Sequence, residues 1–385
     1  MTKKTSTWAE IDLDNMKYNL NKIKNHLHKE TKICGVIKAN AYGHGAVEVA
    51  KFLESNNIDY LSVARLEEGI ELRKNGILSP ILSMGAINTC FLKDAITNNI
   101  SLTVFDVKTA EDINSLAKTL NKKATVHIKV NTGMNRIGFK ADESSIKDIE
   151  YINGLDNLHI EGIFTHFAKA DELDKTATYA QVEKFKYVLD GLKALSVNIE
   201  LIHVSNSASI IDLKEFGFNM VRAGIALYGL QPSDEVENFN LKPVLKLKTK
   251  VTDSKIIQKG EGVSYGYNYV ANEDTQILTL PIGYADGFPR SQKDGEVIIN
   301  SNGIYTKGYI VGNICMDQCM IRIEGLDLIS VGSTVSIIDD YEGVRPEDIA
   351  KRIDSINYEI LCMISRRVSR VYKYENKQFV KNYLF

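Results

Sequence analysis

No stretch of this sequence is apolar for long enough to span a bilayer, and its opening, MTKKTSTWAEIDLD, has no apolar signal core. Those absences point to a cytoplasmic protein that works away from membranes. An excess of one charge is missing too. Lys and Arg number 47 against 49 Asp and Glu, a net charge of −2, and the lysines are scattered, so there is no basic field for nucleic acid. Cysteine is scarce: Cys34, Cys90, Cys315, Cys319 and Cys362 make five, an odd count without the spacing of a disulfide framework. Cys315 and Cys319 stand four apart, but no second Cys or His pair follows to complete a zinc site. Reduced thiols and no metal are therefore expected. Internal repeats and low-complexity tracts are also lacking. What is present is ordinary globular composition, 44% hydrophobic and 25% charged, over 385 residues, a length that suits two domains.

The first part of the chain alternates. After a strand at Thr7–Leu13 and a helix that Asp14 would cap, short apolar runs recur at Ile33–Lys38, Tyr60–Ala64, Pro80–Met84, Leu102–Phe105, Val126–Val130, Ile160–Thr165, Leu201–Val204 and Met220–Ile225. Helix-like stretches such as Val47–Leu53, Leu66–Lys74 and Gln181–Leu195 lie between them. Eight β/α units predict a (β/α)8 barrel, with a doubly wound open sheet as the rival. Near Pro243 the period changes to two, in Leu245–Val251, Ile277–Pro281, Glu296–Asn300, Met320–Ile323 and Thr334–Ile338. The predicted architecture is an α/β chain with an N-terminal (β/α)8 barrel over 1–240 and a C-terminal mainly-β domain over 241–385. The first strand, about 5–13, lies outside the barrel count and is free to pair with the β domain.

In such barrels functional residues gather at the C-terminal ends of the strands. Lys38 falls there, then Arg136, His166, Ser207 and Arg222. A lysine ending a buried strand is either a rim residue whose stem is buried or an amine that condenses with a carbonyl. The loop ANAYGHG sets Tyr42 and glycines beside it. The loops after the seventh and eighth strands, the usual phosphate site, offer Ser207 and backbone N–H groups at Gly224. A reactive lysine opposite a phosphate site suits pyridoxal 5'-phosphate (PLP), or an aldolase acting on a sugar phosphate.

The segments TWAEIDL, VIKANAYGHG, KVNTGMNRIG, GIFTHFAKADE, MVRAGIALYG, GVSYG, PIGYADGFPR, GNICMDQ and INYEI occur in the order seen in alanine racemases, from Thr7 to the 360s. The chain resembles that family across both predicted domains. The resemblance implies a PLP-bearing barrel, a β domain, and a head-to-tail homodimer that interconverts L- and D-alanine, supplying D-alanine for peptidoglycan. It weighs against the aldolase, which leaves the second domain's motifs unexplained.

By place in these motifs, Lys38 resembles the PLP lysine and one of two bases, and Tyr265 the second base, supplied by the partner subunit. Two bases on opposite faces are what inversion at a carbon demands. Arg222 resembles the group facing the pyridine nitrogen, with His166 beside it. An arginine there donates but cannot accept a proton. Tyr42, Ser207, Tyr358, Gly224 and Ile225 resemble the phosphate contacts. Arg136 and the N–H of Met316, the latter supplied by the partner subunit, resemble the carboxylate contacts, with Asp317 as a neighbour. Tyr284 and Tyr358 resemble the walls that restrict the side chain to little more than a methyl group. Lys129 resembles a lysine carbamylated in many members, where a carbamate holds Arg136; as residues alone, Lys129 reads equally as a rim lysine and His166 as a core histidine. The family more often has Pro at Ala223 and Ser369, and Arg or Lys at Asn313; Ala223 puts cofactor affinity in doubt. Remaining alternatives are a racemase for another small amino acid such as serine, a non-catalytic PLP-binding protein, and a PLP decarboxylase on a similar barrel.

Overall fold

The computed structural model describes residues 5–324 and 329–384. Two compact units divide the chain. One holds Lys17–Ala41 and Ala46–Lys242; the other holds the residues up to Met16, the four residues Tyr42–Gly45, and the chain from Pro243 onward.

The first unit is a barrel of eight parallel strands: Lys32–Val36, Tyr60–Val63, Ile81–Ser83, Ile100–Val104, Ala124–Asn131, Leu158–Phe164, Leu201–His203 and Met220–Ala223. The first seven pair successively in the order of the chain, and Met220–Ala223 returns to pair with Lys32–Val36. The remaining seam is bridged: the Arg222 N–H donates to the Ser205 carbonyl at 3.0 Å, and the Asn219 carboxamide accepts from the Ile202 N–H at 2.7 Å. The barrel is thus nearly closed, where a doubly wound sheet would leave two open edges. Ile33, Leu61, Leu82, Leu102, Ile128, Ile163 and Val221 are buried among these strands, as expected where both faces of a parallel sheet are covered.

The alternating pattern placed these strands within two residues, and local chemistry explains the shifts. The first run stops as a strand at Val36, because Lys38 opens a separate segment, Lys38–Tyr42. The helix expected over Gln181–Leu195 already begins at Thr176 and ends at Ala194. The first helix spans Leu13–His26, so Asp14 lies inside its first turn; the cap is Asp12, whose carboxylate accepts from the Asn15 N–H at 2.9 Å.

The second unit is built on one ten-stranded sheet. Its order is Asp253–Ile257, Thr275–Leu280, Cys319–Ile323, Ile304–Val311, Glu296–Ser301, Thr334–Ile338, Leu245–Lys250, Trp8–Asp12, Ser369–Tyr374 and Lys377–Lys381. Every pairing is antiparallel except that of Trp8–Asp12 with Ser369–Tyr374. The N-terminal strand is therefore an interior strand of this sheet, and its side chains Trp8, Ala9 and Ile11 are buried. Two short helices, Pro346–Arg352 and Asn357–Met363, complete the unit. No helix among the described residues is long and apolar enough to cross a membrane.

Candidate active site

Lys38 stands two residues past the first barrel strand, at its C-terminal end. The chain then turns the unusual way. Ala39, Asn40, Ala41 and Tyr42 all have φ between 50° and 55°, a left-handed turn of four residues with side chains, followed by Gly43 and Gly45 at 79° and 102°. L-residues resist this conformation by ~1–2 kcal/mol each, so neighbours must hold it. On the barrel side Glu68 accepts from the Ala39 N–H at 2.6 Å, and the Asn40 side chain accepts from the Ala46 N–H at 3.0 Å. Within the second unit, the fully buried Arg370 donates to the Gly43 carbonyl through Nε and NH2, at 3.0 and 2.7 Å, and the Tyr372 hydroxyl donates to the His44 carbonyl at 2.9 Å. A Cβ on Gly43 would meet the Leu361 carbonyl at 2.2 Å. The glycines of NAYGHG thus answer to both φ and space.

Arg222, in the last barrel strand, is 3% exposed. Its NH1 donates to the His203 carbonyl and to His203 Nδ1, both at 2.9 Å. NH2 donates to the carbonyls of Thr165 and Val204 at 2.9 Å and reaches His166 Nδ1 at 3.3 Å. Among the described residues the Nε–H has no protein acceptor. Burial lowers the guanidinium to about 10, with the Arg136 charge adding and Cys34 opposing, so it remains cationic at neutral pH. Burial, then Arg222, Arg136, Lys129 and Lys38, hold His166 well below the usual imidazole range, so it is neutral.

The loops after the last two strands meet at Ser207. Its Oγ accepts from the N–H groups of Gly224 at 3.0 Å and Ala226 at 3.3 Å. Ile225 opens the short turn Ile225–Tyr228, whose first N–H has no partner within the turn. Gly224 therefore meets Ser207, while the Ile225 N–H has no acceptor among the described residues. In the second unit Tyr42 is buried with its ring centroid 6.1 Å from that of Tyr358. Burial, then Tyr358 and Cys362, push the Tyr42 hydroxyl up, so it stays a donor.

Lys129, on the fifth barrel strand, is 3% exposed, and its Nζ donates to the Val130 carbonyl at 2.7 Å. No carboxylate pairs with it among the described residues. Burial first, then Arg222 and Arg136, lower its amine to about 7. Arg136 lies exposed in the loop beyond, without an ion pair or hydrogen bond among the described residues. That loop is shaped by Asn131, whose side chain accepts from the N–H groups of Gly133 and Asn135.

The second unit gathers the remaining candidates. Tyr265 is 75% exposed, in a turn after Gly262–Val263. The Asn313 side chain donates to the Tyr265 carbonyl at 2.7 Å and accepts from Asn268 at 3.1 Å, while Ser264 donates to the Asn313 carbonyl at 2.7 Å. At the position where the family more often carries a basic residue, Asn313 ties down the Tyr265 turn. Tyr284 and Ala285 donate their N–H groups to the carbonyls of Cys315 and Met316, an approach so close that a Cβ on Gly283 would meet those carbonyls at 2.3 Å. Arg367 clasps the same corner, 2.7 Å from Asp317 and 3.5 Å from Asp286.

In the barrel the structure brings together Arg222, His166, Ser207, Gly224 and Lys129; in the second unit it groups Tyr42 with Tyr358, and Tyr284 with Met316 and Asp317. Motif reading did not single out His203, Glu68, Arg370 or Arg367. A period-two reading of LIHV puts His203 on one face with Leu201, and that was the available signal. The donor set suits PLP: a lysine at a strand end, a hydroxyl and an unpaired N–H at the phosphate loops, and one spare N–H on a buried guanidinium for a ring nitrogen. Among the described residues no cluster of three His, Cys, Asp or Glu could hold a metal.

Two family models cover the chain: alanine racemase, N-terminal domain, over residues 11–232, and alanine racemase, C-terminal domain, over residues 244–372. An alanine racemase of Halothermothrix orenii is 46% identical over 371 residues, covering 95% of this chain and 97% of that one. The solved alanine racemase of Clostridium difficile 630 superposes with a TM-score of 0.95 at 49% identity over all of both chains. That of Bacillus anthracis with bound L-Ala-P superposes at 0.93 and 35%, covering 100% of this chain and 99% of that one. The same architecture extends to a histidine racemase of Leuconostoc mesenteroides, at 0.87 and 28%, covering 96% and 98%. With both halves matched and identity this high over full length, the chain belongs to the PLP-dependent alanine racemase family.

Proposed function

We propose that this chain interconverts L-alanine and D-alanine with pyridoxal 5'-phosphate held at Lys38. The observation that carries the reading is Arg222: buried, cationic, with NH1 and NH2 committed to protein acceptors and Nε–H left over, on the strand paired with the one that leads to Lys38. When bound, the cofactor supplies conjugation that spreads negative charge away from the substrate's α-carbon. With the cofactor bound, Arg222 would donate to its ring nitrogen without yielding a proton, which would limit that spread and favour return of the proton to the α-carbon. Lys38 takes or holds the α-proton on one face, and Tyr265 of the partner subunit does so on the other. Tyr42, Ser207, the Ile225 N–H and Tyr358 would hold the phosphate, with the Gly224 N–H bracing the Ser207 hydroxyl. Arg136, an unpaired planar fork among the described residues, would take the substrate carboxylate together with the N–H of the partner subunit's Met316, which has Asp317 as its neighbour. Tyr284 and Tyr358 leave room for a methyl group.

The second base implies a homodimer, head to tail. In support, Tyr265, Tyr267, Val270 and Met316 are all exposed on the second unit, the apolar surface that association would cover. Cysteines that form no disulfide among the described residues, two of them exposed, fit a reducing cytoplasm, where the product would feed peptidoglycan synthesis. Chiral chromatography of L-alanine incubated with the PLP-loaded protein tests the reaction. D-alanine should accumulate to an equal mixture, and faster than D-serine or D-histidine from their enantiomers. Faster D-serine or D-histidine, or no D-alanine, would reject the assignment.

A further inference from the structure

A line of hydrogen bonds runs from Arg222 into the barrel interior and away from the rim. Arg222 NH1 lies 2.9 Å from His203 Nδ1, His203 Nε2 lies 3.0 Å from His127 Nδ1, and His127 Nε2 lies 2.9 Å from Glu161 Oε2. Both imidazoles are fully buried, and Glu161 is 23% accessible. Tyr60 donates to the same Glu161 oxygen at 2.8 Å and lies 2.6 Å from Ser101 Oγ.

The chemistry of the ends gives this line a direction. A guanidinium only donates, so His203 Nδ1 must accept. The proton of neutral His203 then sits on Nε2 and points at His127 Nδ1, which must accept in turn. The proton of His127 is therefore on Nε2 and is received by the carboxylate of Glu161. Reversing the line would set an N–H of His203 against the N–H groups of Arg222.

Backbone geometry is built for this arrangement. The pairing of Ala124–Asn131 with Leu158–Phe164 slips between Val126 and His127: Val126 faces Ile160, His127 faces Gly162, and Glu161 is the extra residue between. A bulge re-aims the side chain it carries. At Gly162 a Cβ would meet His127 Nδ1 at 2.3 Å, so only glycine leaves room for that ring. Phe164 stacks on His203 with centroids 4.8 Å apart and planes within 7°.

We infer that Glu161 is a positioning residue: as the final acceptor of a one-directional chain through His127 and His203, it keeps an unprotonated nitrogen facing Arg222 and so fixes the guanidinium that the proposed reaction uses. The inference rests on that proposed role of Arg222. Its test does not depend on turnover, so absence of D-alanine would count against the reaction and not against the chain of bonds.

The experiment is nitrogen-15 NMR of histidine-labelled protein at neutral pH, loaded with PLP, for wild type, Glu161→Gln and Glu161→Leu. His127 and His203, assigned by His→Gln variants, should both be neutral with the proton on Nε2. Gln, which retains an acceptor oxygen, should keep that pattern. Leu should move protons to Nδ1 on at least one ring, which would set an N–H against Arg222 or between the rings, and kcat for alanine should fall by about tenfold, the effect of ~1.4 kcal/mol, with KM less affected. Nδ1 protonation of either ring in wild type overturns the inference. So does an unchanged pattern in the Leu variant, or loss of the pattern in the Gln variant. Should the Leu protein fail to fold, wild type and Gln still decide.

Discussion

Lys129 shows how far one burial can alter a side chain's chemistry. Its amine is out of water, beside cations and without a carboxylate, and lies at about 7. Near neutral pH much of it is uncharged, and the uncharged amine is the form that adds CO2, giving a carbamate and a proton. We propose that this carbamate forms and anchors Arg136. Carbon-13 bicarbonate should give a carbamate resonance that is absent in Lys129→Ala, and labelling should fall as pH drops below about 7 and the amine is protonated. A resonance equally strong in Lys129→Ala would assign the carbamate elsewhere. At this scale the sequence was informative about identity and silent about partners. Lys38, Arg222, Tyr265 and Ser207 stand out by motif. Their bonds do not: Glu161 is aimed by a one-residue slip in register, which alternation cannot reveal, and His203 becomes meaningful only once His127, 76 residues away, is seen against it.

Among the elements, the turn after Lys38 carries the most strain. Four consecutive residues with side chains adopt the left-handed conformation, and Ala39 is the exposed member. Such strain tends to be kept where a functional group must be held in one orientation. Ala39→Gly should therefore stabilise the folded protein: relief of ~1–2 kcal/mol of left-handed strain outweighs the ~0.5–1 kcal/mol that glycine's freedom costs. Urea unfolding at constant m-value would register the gain, and a lower midpoint would show that the turn is not strained at Ala39. Elements were legible where burial imposes a period. The eight barrel strands are apolar runs because both their faces are covered, and Leu66–Lys74 matched its pattern to the residue. Strands such as Asp253–Ile257 and Lys377–Lys381, in which no side chain is buried, carry no such period and were not anticipated. The left-handed turn was invisible because Ala39 and Ala41 are ordinary helix formers, and Glu68, which accepts from the Ala39 N–H, lies 29 residues away in sequence.

For the whole molecule, the proposed dimer makes activity a property of two chains. Specific activity should decline on dilution in step with dissociation followed by sedimentation. Inactive Lys38→Ala and Tyr265→Ala proteins, mixed and allowed to exchange subunits, should recover activity, because a heterodimer contains one site with both bases intact. No recovery in a mixture shown to contain heterodimers would place both bases on one chain. Composition and length pointed to two domains, and the first strand, outside the barrel count, was open to pairing with the β domain, where it is found; the grouping of Tyr42–Gly45 with the C-terminal unit was not legible.

The interior place of Trp8–Asp12 in the second unit's sheet also bears on how the protein is made. Its hydrogen-bonding neighbours, Leu245–Lys250 and Ser369–Tyr374, leave the ribosome about 230 and 360 residues later, on the order of tens of seconds at about 5–20 residues per second. Through that interval an apolar strand with Trp8 and Ile11 has no sheet to join, while the eight barrel strands emerge in the order in which they pair. This strand is thus made long before its partners and is among the last to find its place, and the nascent chain has to be kept from pairing it with another copy until Ser369–Tyr374 arrives.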